Sequence, residues 1–172
     1  LTDLYAALGG PNWTEHVGWL RDESHCVWHG VLCDSDGFVS ALWLDENNLS
    51  GTVPDAVGRL LHLRSLDVSG NALSGGLPAN LSQLVYLSQF FVADAGLSGT
   101  LESSFGEMKQ LTYLDMSGNQ ISGNLATFSG LENLRFMSLA DNAFTGNFPS
   151  NGAWPLVEHL NLSGNAISGA LP

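Results

Sequence analysis

Positive charge, cysteine and long hydrophobic runs are all scarce in this sequence of 172 residues. It contains 5 lysine and arginine residues against 17 acidic ones, which gives a formal net charge of −12 at pH 7. A chain this acidic repels the phosphates of nucleic acids and of anionic lipids, so neither is expected to be its partner. No run of about 18 apolar residues occurs, so the sequence offers no segment for insertion into a membrane.

Charged residues of both signs make up only 13% of the sequence, whereas hydrophobic residues make up 44%. This balance excludes a chain that charge repulsion keeps disordered, and the length suffices for one domain with a continuous core. The 20 glycines, against only six prolines, indicate many tight turns rather than a low-complexity linker.

The sequence does contain an internal repeat, which is most visible as a column of asparagine residues. Successive members of the column are 24, 24, 24, 23 and 23 residues apart. The column consists of Asn47, Asn71, Ala95, Asn119, Asn142 and Asn165. Shortly before each member, two apolar residues flank one outward position, as Leu42 and Leu44 do, which is the period of a short strand. Six units in one register predict a solenoid with a parallel sheet.

The repeats must cover one another, because no single unit can bury its own leucines. We expect the asparagine side chains to pair with backbone groups of the turn, and the glycines of each SG pair to turn the chain. The third repeat carries Ala95 in the asparagine column, Glu102 in place of a proline and the bulky Phe90 in its core. We therefore expect it to be the weakest, with turn groups left to water at a cost of about 1 kcal/mol.

Two stretches resemble the plant-type leucine-rich repeat, namely NNLSGTVP and NALSGGLP. The N-terminal cap of that family is similar to the segment ALGGPNWTEHVGWLRDESHCVWHGVLCD, in a form also seen in algal, protist and some bacterial surface proteins. The resemblance implies an α/β solenoid, a right-handed leucine-rich-repeat superhelix with a parallel β-sheet on its concave face and a helical N-terminal cap.

The resemblance divides the chain into a cap at 1–38 and repeats over 39–172. The six repeats are 39–62, 63–86, 87–110, 111–133, 134–156 and an incomplete 157–172. In the cap, a helix with one apolar face is predicted by Leu1, Leu4, Tyr5 and Leu8. The last repeat is followed by no cap of its own, so we expect more chain or a partner to cover that end.

Family resemblance implies a disulfide between Cys26 and Cys33 within the cap. Such a bond indicates an oxidising compartment, and hence an extracellular or cell-surface location. The alternative is a zinc site that adds His25 and His29 to the two cysteines, but the paired spacings typical of zinc ligands are not both present. We expect neither a metal ion nor a cofactor.

Four sequons of the form N-x-[ST] offer candidate glycosylation sites. They are at Asn12, Asn48, Asn80 and Asn161. Because the repeat consensus itself generates the string NLS, a sequon alone is weak support for a glycan. Asn12 and Asn80 lie in predicted loops and are the better acceptors, whereas a glycan on Asn161 would cover the concave face.

Residues that flank the buried apolar positions of each strand should face outward on the concave sheet. The candidate ligand-binding residues are Trp43, Asp67, Phe91, Tyr113, Asp115, Phe136, Ser138 and His159. Aromatic side chains are enriched at binding hot spots, and the acidic balance favours a basic partner. Alternatively, the aromatic residues pack along the sheet only as cross-strand neighbours.

A catalytic function is not expected. Asp67 and Asp115 are two repeats apart, roughly 10 Å by strand spacing, which is near the separation of an inverting glycosidase pair. However, Phe91 lies between them, and an open sheet lacks the water-excluding cleft that a general acid needs. The resemblance instead implies a recognition module for a protein, peptide or glycan, in the N-terminal part of a receptor-like protein. A secreted enzyme inhibitor and a structural or adhesive subunit are the alternatives.

Overall fold

The computed structural model describes residues 1–21, 24–149 and 153–169. The helix α1 spans Thr2–Ala7. The strands are β1 (Val31–Cys33), β2 (Val39–Trp43), β3 (Ser50–Thr52), β4 (Ser65–Asp67), β5 (Ala72–Ser74), β6 (Gln89–Phe91), β7 (Ser98–Thr100), β8 (Tyr113–Asp115), β9 (Gln120–Asn124), β10 (Phe136–Ser138), β11 (Ala143–Asn147), β12 (His159–Asn161) and β13 (Ala166–Ser168). Short 3-10 helices span Gly10–Asn12, His25–Val27, Asp55–Arg59, Ala79–Gln83, Ser103–Glu107 and Leu125–Gly130.

The main sheet has seven strands in the order β1-β2-β4-β6-β8-β10-β12. From β2 onward all neighbouring strands are parallel, and equivalent residues of successive repeats are paired, as Leu42 with Leu66 and Leu66 with Phe90. This register confirms the predicted solenoid and its parallel sheet. The cap contributes β1, which pairs antiparallel with β2 and which the repeat pattern does not predict.

A second set of strands follows the asparagine column, where the SG glycines predict only a turn. Strands β7, β9, β11 and β13 form one sheet, and β3 pairs with β5 separately. The turn prediction is wrong here because side chains still alternate between core and solvent: Leu73 is buried, and Ala72 and Ser74 beside it are exposed. Glycine is nevertheless required, since Gly51 has a φ of +96° and a Cβ there would collide with the carbonyl oxygen of Ala7.

The core between the sheets and the 3-10 helices contains a line of phenylalanine rings in addition to the leucines. Phe90, Phe105, Phe128 and Phe144 follow one another, with ring centroids 6.0, 5.9 and 5.4 Å apart. Each ring is at most 3% exposed. The bulk of Phe90 is therefore accommodated by packing against Phe105, within the distance range that favours edge-on and tilted aromatic pairs.

The predicted asparagine ladder is present. The Asn71 Oδ1 accepts from the backbone N–H of Leu49 at 2.8 Å, and its Nδ2 donates to the carbonyl of Leu44 at 2.9 Å. Asn119, two positions of the ladder further, makes equivalent bonds to Leu97 and Val92. Each side chain thus reaches back to the preceding repeat and pairs a donor and an acceptor that would otherwise be buried alone.

Ala95 does not leave the N–H of Leu73 unpaired, contrary to expectation. Its own carbonyl oxygen accepts from the N–H of Leu73 at 2.8 Å, which is the bond that an asparagine Oδ1 makes in the other repeats. Ala95 is fully buried. Glu102 has a φ of −70°, close to the −69° of Pro78 at the same place in the second repeat, so the missing proline leaves the backbone unchanged.

The cap buries the apolar face of α1, including Leu4, Tyr5 and Leu8, under three tryptophan rings. Trp13 and Trp28 each lie 4.9 Å from the ring of Trp19 between them, measured between centroids. The Trp13 Nε1 donates to the carbonyl of Leu8 at 2.7 Å, which ties the ring to the end of the helix. No helix among the described residues is long and apolar enough to cross a membrane.

The apolar residues of the last repeat are less buried than their counterparts. Leu160, Leu162 and Ile167 are half-buried, whereas Met137 and Leu139 of the preceding repeat are fully buried. Leu171, a further apolar residue of this repeat, lies outside the described residues. Cover for this end by more chain or by a partner stays a prediction.

The hydrogen bonds of the ladder can be tested by replacing one of its asparagines with alanine and, conversely, by replacing Ala95 with asparagine. Asn119→Ala should lower the free energy of unfolding by about 1–3 kcal/mol, because it leaves the N–H of Leu97 and the carbonyl of Val92 without a hydrogen-bond partner. Ala95→Asn should also destabilise, by a similar amount, because its amide would enter a buried site where the N–H of Leu73 already has a partner. Denaturant unfolding followed by circular dichroism measures both changes, and a higher midpoint for Ala95→Asn would contradict this account.

Candidate ligand-binding surface

The parallel register brings all eight predicted binding residues onto the outward face of the main sheet, in two adjacent rows. The first row is Trp43, Asp67, Phe91, Asp115, Ser138 and Asn161. The second row is Ala41, Ser65, Gln89, Tyr113, Phe136 and His159. We call these twelve residues the main-sheet surface. It is the face that the sequence predicts as concave.

Three side chains of the second row stack across neighbouring strands. The rings of Tyr113 and Phe136 are nearly parallel, with centroids 6.1 Å apart, and His159 continues the row at 6.0 Å from Phe136. Tyr113 keeps 40% of its surface exposed, and His159 is exposed. The rings therefore pack on one another, as the structural alternative predicts, and also present an exposed aromatic strip of defined geometry.

Trp43 stands at the other end of the surface. Its Nε1 donates to the hydroxyl of Ser65 at 2.9 Å, which satisfies the polar edge of the ring. The side chain is still 47% exposed, so apolar ring surface remains available. Because this hydrogen bond already holds the Trp43 ring in one orientation, the side chain loses little further conformational entropy when a partner packs on it.

The two carboxylates of the first row are oriented by the chain that follows them. Asp67 accepts from the N–H of Ser69 at 3.0 Å, and Asp115 accepts from the N–H and the hydroxyl of Ser117 at 2.9 and 2.6 Å. Phe91 is paired with both and separates them by one strand. These bonds hold each carboxylate against the turn at the end of its strand. Both aspartates remain partly exposed, so their negative charge lies on the main-sheet surface.

Ser138 is wrongly predicted as an exposed residue of this surface. It occupies the expected row, but it is only 6% exposed, because its short side chain lies between Asp115 and Asn161 on the flanking strands. Conversely, the half-buried Gln89 belongs to the surface and was not predicted. Its equivalence to Tyr113, one repeat later, is the signal that identifies it.

The cysteines form the disulfide that the resemblance implies. Cys26 and Cys33 are covalently joined, and their sulfurs lie with a ring nitrogen of His25 within 4.8 Å of one another. A zinc site needs deprotonated thiolates, which a disulfide does not supply. These residues therefore fit a structural cross-link of the cap and do not fit a metal ion.

The four sequons differ in accessibility. Asn12, Asn48 and Asn161 are exposed, although the Asn48 Nδ2 donates to the carbonyl of Asn12 at 2.8 Å. The Asn80 Nδ2 donates to the carbonyl of Asp55 at 2.7 Å, and the amide is packed where a Cβ on Gly58 would lie only 2.6 Å away. This packing disfavours a glycan on Asn80, although the sequence predicts a loop there and so favours Asn80 as an acceptor.

Sequence comparison finds matches to leucine-rich-repeat proteins. The profile of the Leucine Rich Repeat family matches residues 62–84 and 110–131, and a second Leucine Rich repeat profile matches residues 155–170. A probable inactive receptor kinase of Arabidopsis thaliana is 41% identical over 83 residues. The match covers 48% of this chain but only 12% of that protein, so the chain spans a small part of its relative's length.

Structural comparison finds receptor ectodomains. The LRR ectodomain of the receptor kinase SOBIR1 from Arabidopsis thaliana matches with a TM-score of 0.84 and 26% identity, covering 99% of this chain and 93% of that one. The Arabidopsis receptor kinase HAESA, solved in complex with the peptide hormone IDA and the co-receptor SERK1, matches with a TM-score of 0.76 and 29% identity. That match covers 86% of this chain and 26% of the other.

Glycopeptide mass spectrometry, after expression through a eukaryotic secretory pathway, measures which sequons carry glycans. We expect occupancy at Asn12, whose side chain is exposed, and none at Asn80, whose amide nitrogen is bonded and packed. Occupancy at Asn80 would contradict the packing described here.

Proposed function

We propose, from the premise that this chain is a plant-type leucine-rich-repeat protein, that it is a non-catalytic extracellular recognition module. Its ligand is a protein, a peptide or a glycan, bound on the main-sheet surface. The module forms the N-terminal part of a cell-surface receptor-like protein. The disulfide of the cap supports an oxidising, extracellular or cell-surface location.

The observation that carries the proposal is the aromatic strip of Tyr113, Phe136 and His159 on an open sheet face. The core of these strands does not require the rings of Tyr113 and Phe136, since the adjacent inward residues Leu114 and Met137 are fully buried on the other face of the sheet. Rings held by cross-strand stacking are preorganised, so a ligand that packs on them pays little further ordering cost. Asp115 lies beside them and Asp67 lies two strands further along the sheet, which matches an interface with an apolar centre and a charged periphery.

Electrostatics support a basic ligand for this surface. Asp67 and Asp115 lie on it, and the chain as a whole carries a formal charge of −12. Opposite charge raises the association rate and disfavours acidic competitors. HAESA, whose complex contains a peptide hormone, provides a precedent for a peptide as ligand of a structurally similar ectodomain.

Two other functions use the same surface and differ in what is bound. A secreted enzyme inhibitor would bind a folded enzyme and no free peptide, and a structural or adhesive subunit would be recovered with fixed partners in constant ratio. The aromatic strip favours the receptor-like module, because stacked rings on an open face suit an extended peptide or a sugar ring.

Arrays of peptides and of oligosaccharides test the proposal directly. We expect the chain to retain a subset of probes, enriched in lysine and arginine if they are peptides. The double substitution Phe91→Ala/Phe136→Ala should weaken their binding by at least about tenfold, as the loss of hot-spot aromatic residues does. Glu107→Ala, on a 3-10 helix away from the main sheet, serves as the matched control and should change nothing.

Circular dichroism of the double variant should match that of the unmodified chain, because both rings are partly exposed. Retention of no probe, or binding that survives the double substitution and is lost in Glu107→Ala, would refute the assignment of this surface.

A further inference from the structure

A row of acidic side chains borders the main-sheet surface, in the turns that follow the carboxyl ends of its strands. The residue before each ladder position has a positive φ in every repeat, between +48° and +67°. The six residues at this position are Glu46, Gly70, Asp94, Gly118, Asp141 and Gly164. Acidic residues and glycines therefore alternate from repeat to repeat, and we call Glu46, Asp94 and Asp141 the acidic row.

Packing between repeats explains this alternation. Each acidic side chain lies over the glycine of the next repeat. A Cβ on Gly118 would lie 2.9 Å from the Cγ of Asp94, and a Cβ on Gly164 would lie 3.0 Å from the Cγ of Asp141. Glu46 covers the glycine of the second repeat in the same way. Because a side chain in place of any of these glycines would displace the acid, this position carries a carboxylate only in alternate repeats.

The backbone of the turn does not require acidic residues. Glycine adopts a positive φ without strain, and the second, fourth and sixth repeats form the same turn with glycine. Aspartate tolerates this conformation through its short polar side chain, but the glutamate of the first repeat lacks that advantage. All three acids are exposed, and none forms an ion pair within the described residues. Glycine in all six repeats would satisfy the fold, which points to a binding role for the acids.

The lysine and arginine residues of the repeats lie away from this edge of the sheet, in the segments that lead into β4, β8 and β10. They are Arg59, Arg64, Lys109 and Arg135. The fifth basic residue, Arg21, belongs to the cap. Asp67 and Asp115, at the strand ends of the second and fourth repeats, place further carboxylates between those of the acidic row. Each of the first five repeats therefore carries a carboxylate at this edge.

The main sheet sets the spacing of the acidic row. Its hydrogen-bonded ladder continues into the turns, where the N–H of Glu46 donates to the carbonyl of Ser69 at 2.9 Å and that of Asp94 to the carbonyl of Ser117 at 2.9 Å. Neighbouring parallel strands lie about 4.8 Å apart, so acids two repeats apart are separated by about 9.6 Å. The three acids together span about 19 Å.

A polyproline II helix presents equivalent side chains at nearly this interval. It has three residues per turn and rises about 3.1 Å per residue, so every third side chain lies on the same side, about 9.3 Å from the one before. Like-facing side chains are about 6.7 Å apart in an extended strand and about 10.5 Å apart over two turns of an α-helix. Over the whole acidic row, the mismatch is about 0.6 Å for the polyproline II helix and about 1.8 Å for the α-helix.

The aromatic strip supplies the second feature that such a ligand needs. Proline-rich segments in this conformation dock on surfaces lined by aromatic side chains. Tyr113 and Phe136 provide stacked, partly exposed rings in the fourth and fifth repeats, which also carry Asp115 and Asp141. Aromatic rings and carboxylates thus run side by side along the sheet, as the apolar and basic faces of one peptide require.

We propose that the main-sheet surface binds a basic, proline-rich peptide in the polyproline II conformation, with lysine or arginine at every third residue. Three successive basic side chains pair with Glu46, Asp94 and Asp141, and the residues between them pack on Phe91 and the aromatic strip. This inference rests on the proposed function, whose ligand it narrows to one class of peptide.

Fluorescence anisotropy with two synthetic peptides of equal composition tests the proposal on the whole chain. The spaced peptide is Lys-Pro-Pro repeated three times, and the clustered peptide has three lysines followed by six prolines. Because their charge and composition are the same, the peptides differ in the interval between lysines. We expect the spaced peptide to bind at least about tenfold more tightly, since the clustered lysines cannot reach all three acids.

The acidic row is tested by substituting the residue that the other repeats carry at this position. The triple variant Glu46→Gly/Asp94→Gly/Asp141→Gly should bind the two peptides equally. It should not lower the midpoint of denaturant unfolding, because glycine adopts the positive φ freely.

A matched control removes the same number of negative charges elsewhere. The triple variant Glu102→Gln/Glu107→Gln/Glu132→Gln alters exposed residues outside the main sheet. It should keep the preference for the spaced peptide, since the loss of net charge weakens binding of both peptides alike.

Equal binding of the two peptides by the unmodified chain, or a preference that persists in the glycine variant, would overturn the inference. So would a lower unfolding midpoint of that variant, which would assign the acids to the fold. If neither lysine peptide binds while the arrays retain other probes that depend on Phe91 and Phe136, the inference fails and the proposed function stands. Retention of no probe at all would refute both.

Discussion

Pairing of the turn backbone between successive repeats is the constraint on which the rest of this structure depends. Asn71 illustrates it, because one side chain bonds to a carbonyl and an N–H of the preceding repeat. A buried donor or acceptor left alone costs about 1–3 kcal/mol, so the bonds strongly favour one register. At Ala95 a backbone carbonyl takes over the same bond, so the N–H of Leu73 keeps a partner although the asparagine is missing.

The leucines and the ladder residues hold successive repeats together. The remaining positions of each repeat can therefore vary without affecting how the repeats stack. The main-sheet surface consists of such positions. The aromatic strip lies on the open side of the main sheet, where the first three repeats carry Ala41, Ser65 and Gln89. Binding capacity in this protein is thus added to residues that the repeat leaves unconstrained, consistent with the general separation of fold and function.

Much of the fold and part of the site were predictable from spacing alone. The strands around Leu42 and Leu66, the cap helix and the two surface rows follow from periods of two, of about 3.6 and of 23–24 residues. The second sheet was missed because serine and glycine usually indicate turns, whereas here Gly51 extends a strand with a positive φ. Ser138 was misjudged because a strand pattern gives the direction of a side chain but not the size of its neighbours.

The repeat period, the register of the sheet and the family of the protein were encoded in the order of residues, since a solenoid brings together positions at one fixed separation. Spacing could not predict contacts between residues that occupy different positions within their repeats. The carbonyl of Ala95 that replaces a side chain and the packing of Asn80 against Gly58 are of this kind. Tertiary structure decided them, because each depends on how closely two backbones approach, and that distance is set by packing throughout the stack.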